Sequence, residues 1–391
     1  MRVLVISHLY PSSINPTYGI SVHKQVNALK NQGCEVKVLA PVPFTPWPLP
    51  LLRKKWEDYA NTPRKDFIAG LEVLYPRYLV FPRSLLLEYS GIFMYLGLRK
   101  IIHRIYEEFP FDLIHAHVAL PDGQAAYYLR KKYNVPIVVT IHGQDFQSTI
   151  NKSLNCRKSL FKLLSSADKI ITVSTKLKNL VIDQPFSSKI TVINNGIDSE
   201  HLSDTLPKTV HNGKRIISIS NLNKTKGIDL NLGAMSSLVR EYPGLEYYIV
   251  GDGEERNNLE TLRDQLNLND NVFFLGRLDH QQAMLKLTEA DIFCLPCWQE
   301  GSELAYIEAM SLGKPIIAVE GISDIVHHNH NGLLVKPQDV DDVIQALGTL
   351  IRNPAQAISL GEAGRKTVLE GLTWKDNARK TREIYRQLLT N

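Results

Sequence analysis

Two glutamates eight positions apart, Glu300 and Glu308, lie in the stretch WQEGSELAYIEAM at 298–310. Apolar runs at 291–296 and 314–319 flank it and read as buried strands. The segment therefore leaves the carboxyl end of a strand, where open α/β sheets bind ligands. Gly301 and Ser302 precede a helix expected from Leu304. Its first turn, around Glu303, Leu304 and Ala305, offers free N–H groups and a positive dipole end, a natural place for an anion. An ionised carboxylate only accepts hydrogen bonds, so it suits a vicinal diol. Glu300 fits sugar hydroxyls and Glu308 fits the two hydroxyls of a ribose. Spacing alone equally allows Glu308 to be a solvated helix residue.

Other stretches carry chemistry of the same kind. In SNLNKTKGIDL (220–230), Lys226 stands before Gly227 at a strand-to-helix turn, where an ammonium meets a phosphate. A solvent lysine in a loop is the plainer alternative. Gly251 and Gly253, in VGDGEERNNLE (250–260), allow backbone to approach a ligand closely. DLIHAHVALPDG (112–123) puts His115 and His117 on one face of a strand, and satisfied core histidines are the favoured reading. VTIHGQDF (139–146) places His142 at a strand end before Gly143, a position suited to an active site. Metal is not expected. His327, His328 and His330 lie in a loop, and Asp339 and Asp341 sit at a helix start, where aspartate caps are ordinary. Cys294 and Cys297 form a C-x-x-C with no second pair, and Cys294 reads as a small buried strand residue.

These loops need a frame that gathers them at strand ends, and the hydrophobic pattern supplies one. Residues 2–7 read as a buried strand, 20–32 as the following helix and 35–40 as the next strand, the start of a parallel sheet. Strands at 113–117, 137–141, 170–173 and 190–193 continue it, with a helix at 123–132. The pattern restarts at 214. Strands at 216–220, 246–251, 272–275, 291–295 and 315–319 alternate with helices at 229–241, 259–265, 281–289 and 304–312. Two successive doubly wound α/β domains follow: an N-terminal one over 1–195, a linker over 196–213 and a C-terminal one over 214–370. A final amphipathic helix over 371–391 turns Trp374, Ala378, Ile384 and Leu388 or Leu389 inward. Two stretches break the alternation. Residues 41–56 hold five prolines and two tryptophans and predict an irregular, stiff loop with apolar and basic faces. Residues 83–108 predict a long helix bearing Arg99, Lys100, His103 and Arg104, packed on the first domain.

Composition fits this frame. A chain of 391 residues is long for one core, and 44% hydrophobic with 22% charged residues is the ordinary balance of a soluble globular protein. No stretch approaches about 18 uncharged apolar residues, so no membrane span is expected. The four cysteines show no framework, which points to a reducing, cytoplasmic chain. Charge is uneven: residues 1–190 hold 25 Lys and Arg against 13 Asp and Glu, and the rest 20 against 27. The basic half is expected to meet something anionic. Nucleic acid is disfavoured for want of a recognisable motif. Peripheral contact with an anionic membrane, at the inner face of the plasma membrane, is expected from residues 41–56 and 83–108.

Taken in order, the motifs resemble a family. PCWQEGSELAYIEAMSLGKPIIA resembles the E-x7-E signature of the retaining family-4 glycosyltransferases of GT-B fold. NLNKTKGIDL, VGDGEERNNLE, VINNGID, DLIHAHVALPDG, TIHGQDF and the ending LTWKDNARKTREIYRQLL follow the family's order over nearly the whole chain. The N-terminal half resembles bacterial cell-envelope polysaccharide enzymes of the teichuronic-acid type. The resemblance implies two Rossmann-like domains facing a central cleft. It implies a nucleotide-diphosphate-sugar donor, by resemblance a UDP-sugar, and a glycan or lipid-linked acceptor held by the basic first domain. It assigns Glu308 to the ribose, Glu300 to the sugar hydroxyls and Lys226 to the diphosphate. His142 and Gly19 of the TYGIS loop would lie near the sugar. Asn221, Lys224, Gly251, Gly253, Arg277, Ser302, Glu303, Leu304 and Ala305 complete the donor set. The final helix would cross back to the first domain. Lys226 and the helix N-terminus would stabilise the leaving diphosphate without a metal or other cofactor. The acceptor would attack from the same face, with no second carboxylate to form a covalent intermediate. Two positions depart from the family pattern: Asn221 replaces its usual arginine, and Glu303 stands where a glycine is usual. The alternatives are a silent sugar-nucleotide-binding scaffold, which Asn221 favours, and a GT-B fold UDP-sugar epimerase.

Overall fold

The computed structural model describes residues 1–82, 85–198, 215–299 and 303–390. It divides into two compact units, Met1–Asn194 with Trp374–Asn391, and Asn195–Thr373.

Among its described residues the first unit holds ten strands: β1 (Arg2–Ile6), β2 (Glu35–Leu39), β3 (Val42–Pro43), β4 (Lys65–Ile68), β5 (Leu71–Leu74), β6 (Arg77–Tyr78), β7 (Leu113–His117), β8 (Ile137–Ile141), β9 (Lys169–Thr172) and β10 (Ile190–Val192). Eight make one sheet in the order β10-β9-β8-β7-β1-β2-β5-β4, and β3 pairs with β6 separately. Every pairing in the large sheet is parallel except β4 with β5. Helices cover both faces, which is why β1 and β8 are almost continuously apolar and buried instead of alternating, and why β7 is wholly buried although it carries His115 and His117. Helix Trp374–Thr390 belongs here. Its Ala378, Ile384 and Tyr385 join a core with Val3, Val22 and Val26, and Gln25 donates to Asn377 Oδ1 at 2.7 Å.

The second unit is a parallel six-stranded sheet in the order β13-β12-β11-β14-β15-β16. Its strands are β11 (Arg215–Ile219), β12 (Glu246–Val250), β13 (Val272–Gly276), β14 (Ile292–Cys294), β15 (Ile316–Val319) and β16 (Leu333–Val335). The parallel strands switch direction of addition between β1 and β7 in the first sheet and between β11 and β14 in the second. Loops diverge at such a switch point and leave a crevice for a ligand.

Several local expectations are corrected. Residues 41–56 are not wholly irregular: they contain β3, a 3-10 turn Leu49–Leu51 and the start of helix Lys54–Asn61. The helix expected over 83–108 begins at Ser90 and runs to Glu108. The hairpin of β4 and β5, the strand β16 and the helix Pro354–Gly371 have no counterpart in the sequence reading. Asp339 caps helix Val340–Arg352 by accepting from Asp342 N–H at 3.0 Å. No described helix is long and apolar enough to cross a membrane.

Candidate active site

In the second unit, three loops at the carboxyl ends of β11, β12 and β14 are tied together by main-chain bonds. Ser220 N–H donates to Val250 O, Leu222 N–H to Asp252 O and Glu255 N–H to Leu222 O, each at 3.0 Å. Trp298 N–H donates to Thr225 O at 3.1 Å. Backbones this close leave no room for side chains, and that explains the glycines. A Cβ on Gly251 (φ 134°) would lie 1.8 Å from Ser220 O, and one on Gly227 (φ 70°) 2.4 Å from Pro296 O. Gly253 packs against the Leu222 carbonyl in the same way. Lys226 sits inside this knot and is only 8% exposed. Lysine is seldom so buried, so the solvent-lysine alternative is excluded. Asn221 and Lys224, in the same loop, are exposed, as is Arg277 beyond β13.

Helix Glu303–Ser311 starts one residue earlier than expected. Leu304 and Ala305 are half-buried in its first turn. Glu303 Oε1 accepts from Asp324 N–H at 3.1 Å, so this carboxylate holds the 323–324 turn. Glu308 is not a free solvated residue: its side chain is 23% exposed and Oε1 lies 2.9 Å from His280 Nε2. Sequence reasoning missed His280, which is separated from Glu308 by 28 positions. Glu300, Gly301 and Ser302 lie outside the described residues. A buried polar network underlies the site. Asn231 Nδ2 donates to Tyr247 Oη at 2.8 Å and to Cys294 O at 3.1 Å, and Tyr306 Oη donates to Leu295 O at 2.7 Å. It pins the end of β14, from which the glutamate-bearing segment departs. Cys294 and Cys297 are buried free thiols, and burial pushes the Cys294 thiol up.

In the first unit, His142 follows β8 and pairs with His117, with Nε2 3.1 Å from His117 Nδ1. His115 and His117 are fully buried with ring centroids 4.3 Å apart. His115 is satisfied by Thr140 Oγ1 at 2.7 Å on Nε2 and by Tyr385 Oη at 2.5 Å on Nδ1. His117 is not: among the described residues its buried Nε2 has no partner. An orphaned N–H costs more than an orphaned lone pair, so the proton belongs on His117 Nδ1. That nitrogen then donates to His142 Nε2, and His142 carries its own proton on Nδ1. Burial, with His142 adding to it, pulls His115 down to about 3; burial and His8 pull His142 down to about 4. Both rings are neutral at pH 7. Gly19 enters helix Ile20–Asn31 with its α-carbon against the Leu9 carbonyl, where a Cβ would lie 2.3 Å from the oxygen.

Two further groups escaped the sequence reading. Asp122 binds His8, and Asp145 accepts through Oδ1 from Ala119 N–H at 3.1 Å while its buried Oδ2 has no partner among the described residues. Burial pushes the Asp145 carboxyl up to about 7. No group of metal-ligating side chains forms among the described residues.

Two Rossmann-like domains, the second with a glycine-cinched lysine loop at its switch point, define an α/β protein of GT-B fold. Residues 19–201 match the family model Glycosyltransferase Family 4, and residues 206–367 match Glycosyl transferases group 1. The chain belongs to the GT-B glycosyltransferases of the family-4 type. It is 28% identical, over 89% of its length and 88% of the relative's, to the putative teichuronic acid biosynthesis glycosyltransferase TuaC of Bacillus subtilis. Two solved structures share its fold. Sucrose-phosphate synthase from Thermosynechococcus elongatus has a TM-score of 0.75 at 21% identity, over 100% of this chain and 99% of that one. Anabaena Alr3699/HepE in complex with UDP and glucose has a TM-score of 0.69 at 18% identity, over 99% of this chain and 100% of that one.

Proposed function

We propose that the protein is a retaining, metal-independent glycosyltransferase that moves a hexosyl or N-acetylhexosaminyl unit from a UDP-sugar to a glycan or lipid-linked acceptor in envelope polysaccharide synthesis. The observation that carries this reading is Lys226, buried where three loops, two of them closed over glycines, meet beside the switch point of the second sheet. A cation fixed there offsets charge that develops on a leaving diphosphate as the anomeric bond breaks. Glu308 takes the ribose hydroxyls, with His280 orienting its carboxylate. Glu300 and Ser302 hold the sugar and diphosphate. His142 contributes its Nδ1–H to the sugar, and Gly19 keeps the chain near it free of side-chain bulk. The teichuronic-acid relative supports the envelope assignment. Lys224 stands in for the arginine that Asn221 replaces, and Lys224→Ala is expected to reduce turnover about tenfold; unchanged turnover removes that role.

The test is donor turnover in EDTA. Purified protein receives UDP-, GDP- and ADP-sugars, and nucleotide release is compared with a Glu300→Ala variant. Release from the UDP-sugar alone, lost in the variant, is the expected result. Product stereochemistry decides retention. Tight UDP binding with no release, even after acceptor lipid is added, overturns the enzyme in favour of the silent scaffold that Asn221 favours.

Peripheral membrane contact is part of this reading. Phe44, Trp47, Leu51 and Leu52 are exposed, Trp47 at 81%, and Arg53, Lys54 and Lys55 follow them. Phe44 N–H donates to Tyr78 O at 2.7 Å, which sets this segment beside exposed Leu79 and Val80. Apolar side chains bordered by cations suit an anionic bilayer surface. Co-sedimentation with anionic vesicles at low salt, lost at high salt, is expected; its absence at low salt ends the idea.

A further inference from the structure

The first unit contains a cavity of about 830 Å³ at the switch point of its sheet. His8 follows β1, Asp122 follows β7, and these strands are paired neighbours. Asp122, fully buried, accepts His8 Nδ1 at 2.8 Å and the His8 backbone N–H at 3.2 Å to each oxygen. Nδ1 is thereby occupied. The ring is still 24% exposed and lines the cavity, so its free edge, with Nε2, faces the space. Lys55 and Lys152 line the same cavity. Among the described residues its one lining carboxylate is Asp58, which lies 3.4 Å from Lys54 Nζ, so part of its charge is offset.

Burial opposes charge on His8, yet contact with Asp122 outweighs it and raises the imidazole above its ordinary value. Asp145 acts in the same direction and Lys55 against it. His142 feels the His8 charge in turn. Burial raises Asp122 as well, so the pair holds its shared proton more tightly than a free imidazole would. Protonated, His8 presents a second N–H at Nε2.

We propose that His8, oriented by Asp122, forms with Lys55 and Lys152 an oxyanion-recognition site that takes a phosphate or carboxylate group carried by the acceptor. The identity of the ligand as acceptor rests on the glycosyltransferase reading; the site itself needs no donor.

The experiment titrates the full-length protein, labelled with 15N at histidine, with octyl phosphate, glucuronate and octyl glucoside in the absence of nucleotide. The His8 signal is assigned by its loss in His8→Gln, whose folding is checked by thermal unfolding. Octyl phosphate or glucuronate is expected to shift the His8 signal, with affinity about tenfold weaker in Lys55→Ala. A response to octyl phosphate alone identifies a phosphate-bearing acceptor, to glucuronate alone a uronic sugar, and to both a general oxyanion site. Binding is full while His8 is protonated and is lost as pH rises through its raised value. Asp122→Asn therefore moves that loss to lower pH. No response to either anion, or an equal response to octyl glucoside, overturns the proposal. An unmoved pH midpoint in Asp122→Asn removes Asp122 from it. Donor turnover in EDTA is a separate readout, so failure of the anion site leaves the transferase reading standing.

Discussion

Single atoms decide much at the residue scale. The orphaned Nε2 of His117 fixes the tautomers of two rings, and so decides whether His142 offers a donor or an acceptor. Nitrogen spectra of the imidazoles are expected to show His142 protonated at Nδ1; protonation at Nε2 would place the His117 proton on its orphaned Nε2 instead. His117→Asn keeps a donor near the Nδ1 position and is expected to retain turnover. His117→Leu should lower kcat about tenfold with little change in KM under the proposed role of His142 as a donor to the reacting sugar. Asp145 makes a prediction in pH. Its folded value near 7 exceeds the ordinary carboxyl value near 3.8. Between these values the folded state binds more protons than the unfolded chain, so this group lowers stability as pH rises. Asp145→Asn removes that penalty. The Tm difference, variant minus wild type, should grow from about pH 4 to about pH 7 and level off above it. A constant difference would show that Asp145 titrates normally.

At the scale of elements, the second unit's site is a contact between loop backbones. Motif glycines that look like flexible punctuation in the sequence are there because Ser220 and Pro296 carbonyls occupy the space a Cβ would take. Gly251→Ala is expected to cost roughly 2–4 kcal/mol, combining a disfavoured φ with a displaced strand end. Gly321 is the control: its φ is 69°, but a Cβ there meets nothing within 4 Å. Gly321→Ala should cost roughly 1 kcal/mol and leave UDP affinity unchanged, whereas Gly251→Ala should weaken it. Denaturant unfolding with UDP titration reads both. Equal costs at the two positions would mean that strain, not loop packing, explains the motif.

For the whole molecule, the final helix is part of the first unit although the second unit precedes it in the chain. Tyr385 Oη bonds His115 beneath the His142 site, so the last turns of the chain help order that cluster. Tyr385→Phe leaves His115 Nδ1 without its partner and should cost about 1 kcal/mol in denaturant unfolding of the first unit; no loss would make the bond ornamental. The sequence by itself determined the βαβ alternation, the two doubly wound halves, the order of motifs, and the glycines and Lys226 at strand ends. Buried parallel strands and amphipathic helices are local patterns, legible within about a dozen residues. The short hairpin of β4 and β5 was not legible, because exposed edge strands such as Lys65–Ile68 carry no continuous apolar run. Tertiary structure alone decided the partners: His280 for Glu308, Asp122 for His8, Tyr385 for His115, with separations of 28, 114 and 270 positions. Sheet order brings such residues together, and strand order is set by long-range pairing energy that leaves no periodic trace in the sequence. Burial acts likewise. A histidine, an aspartate and a lysine look alike in sequence whether solvated or enclosed, and it is enclosure that makes them chemically distinct.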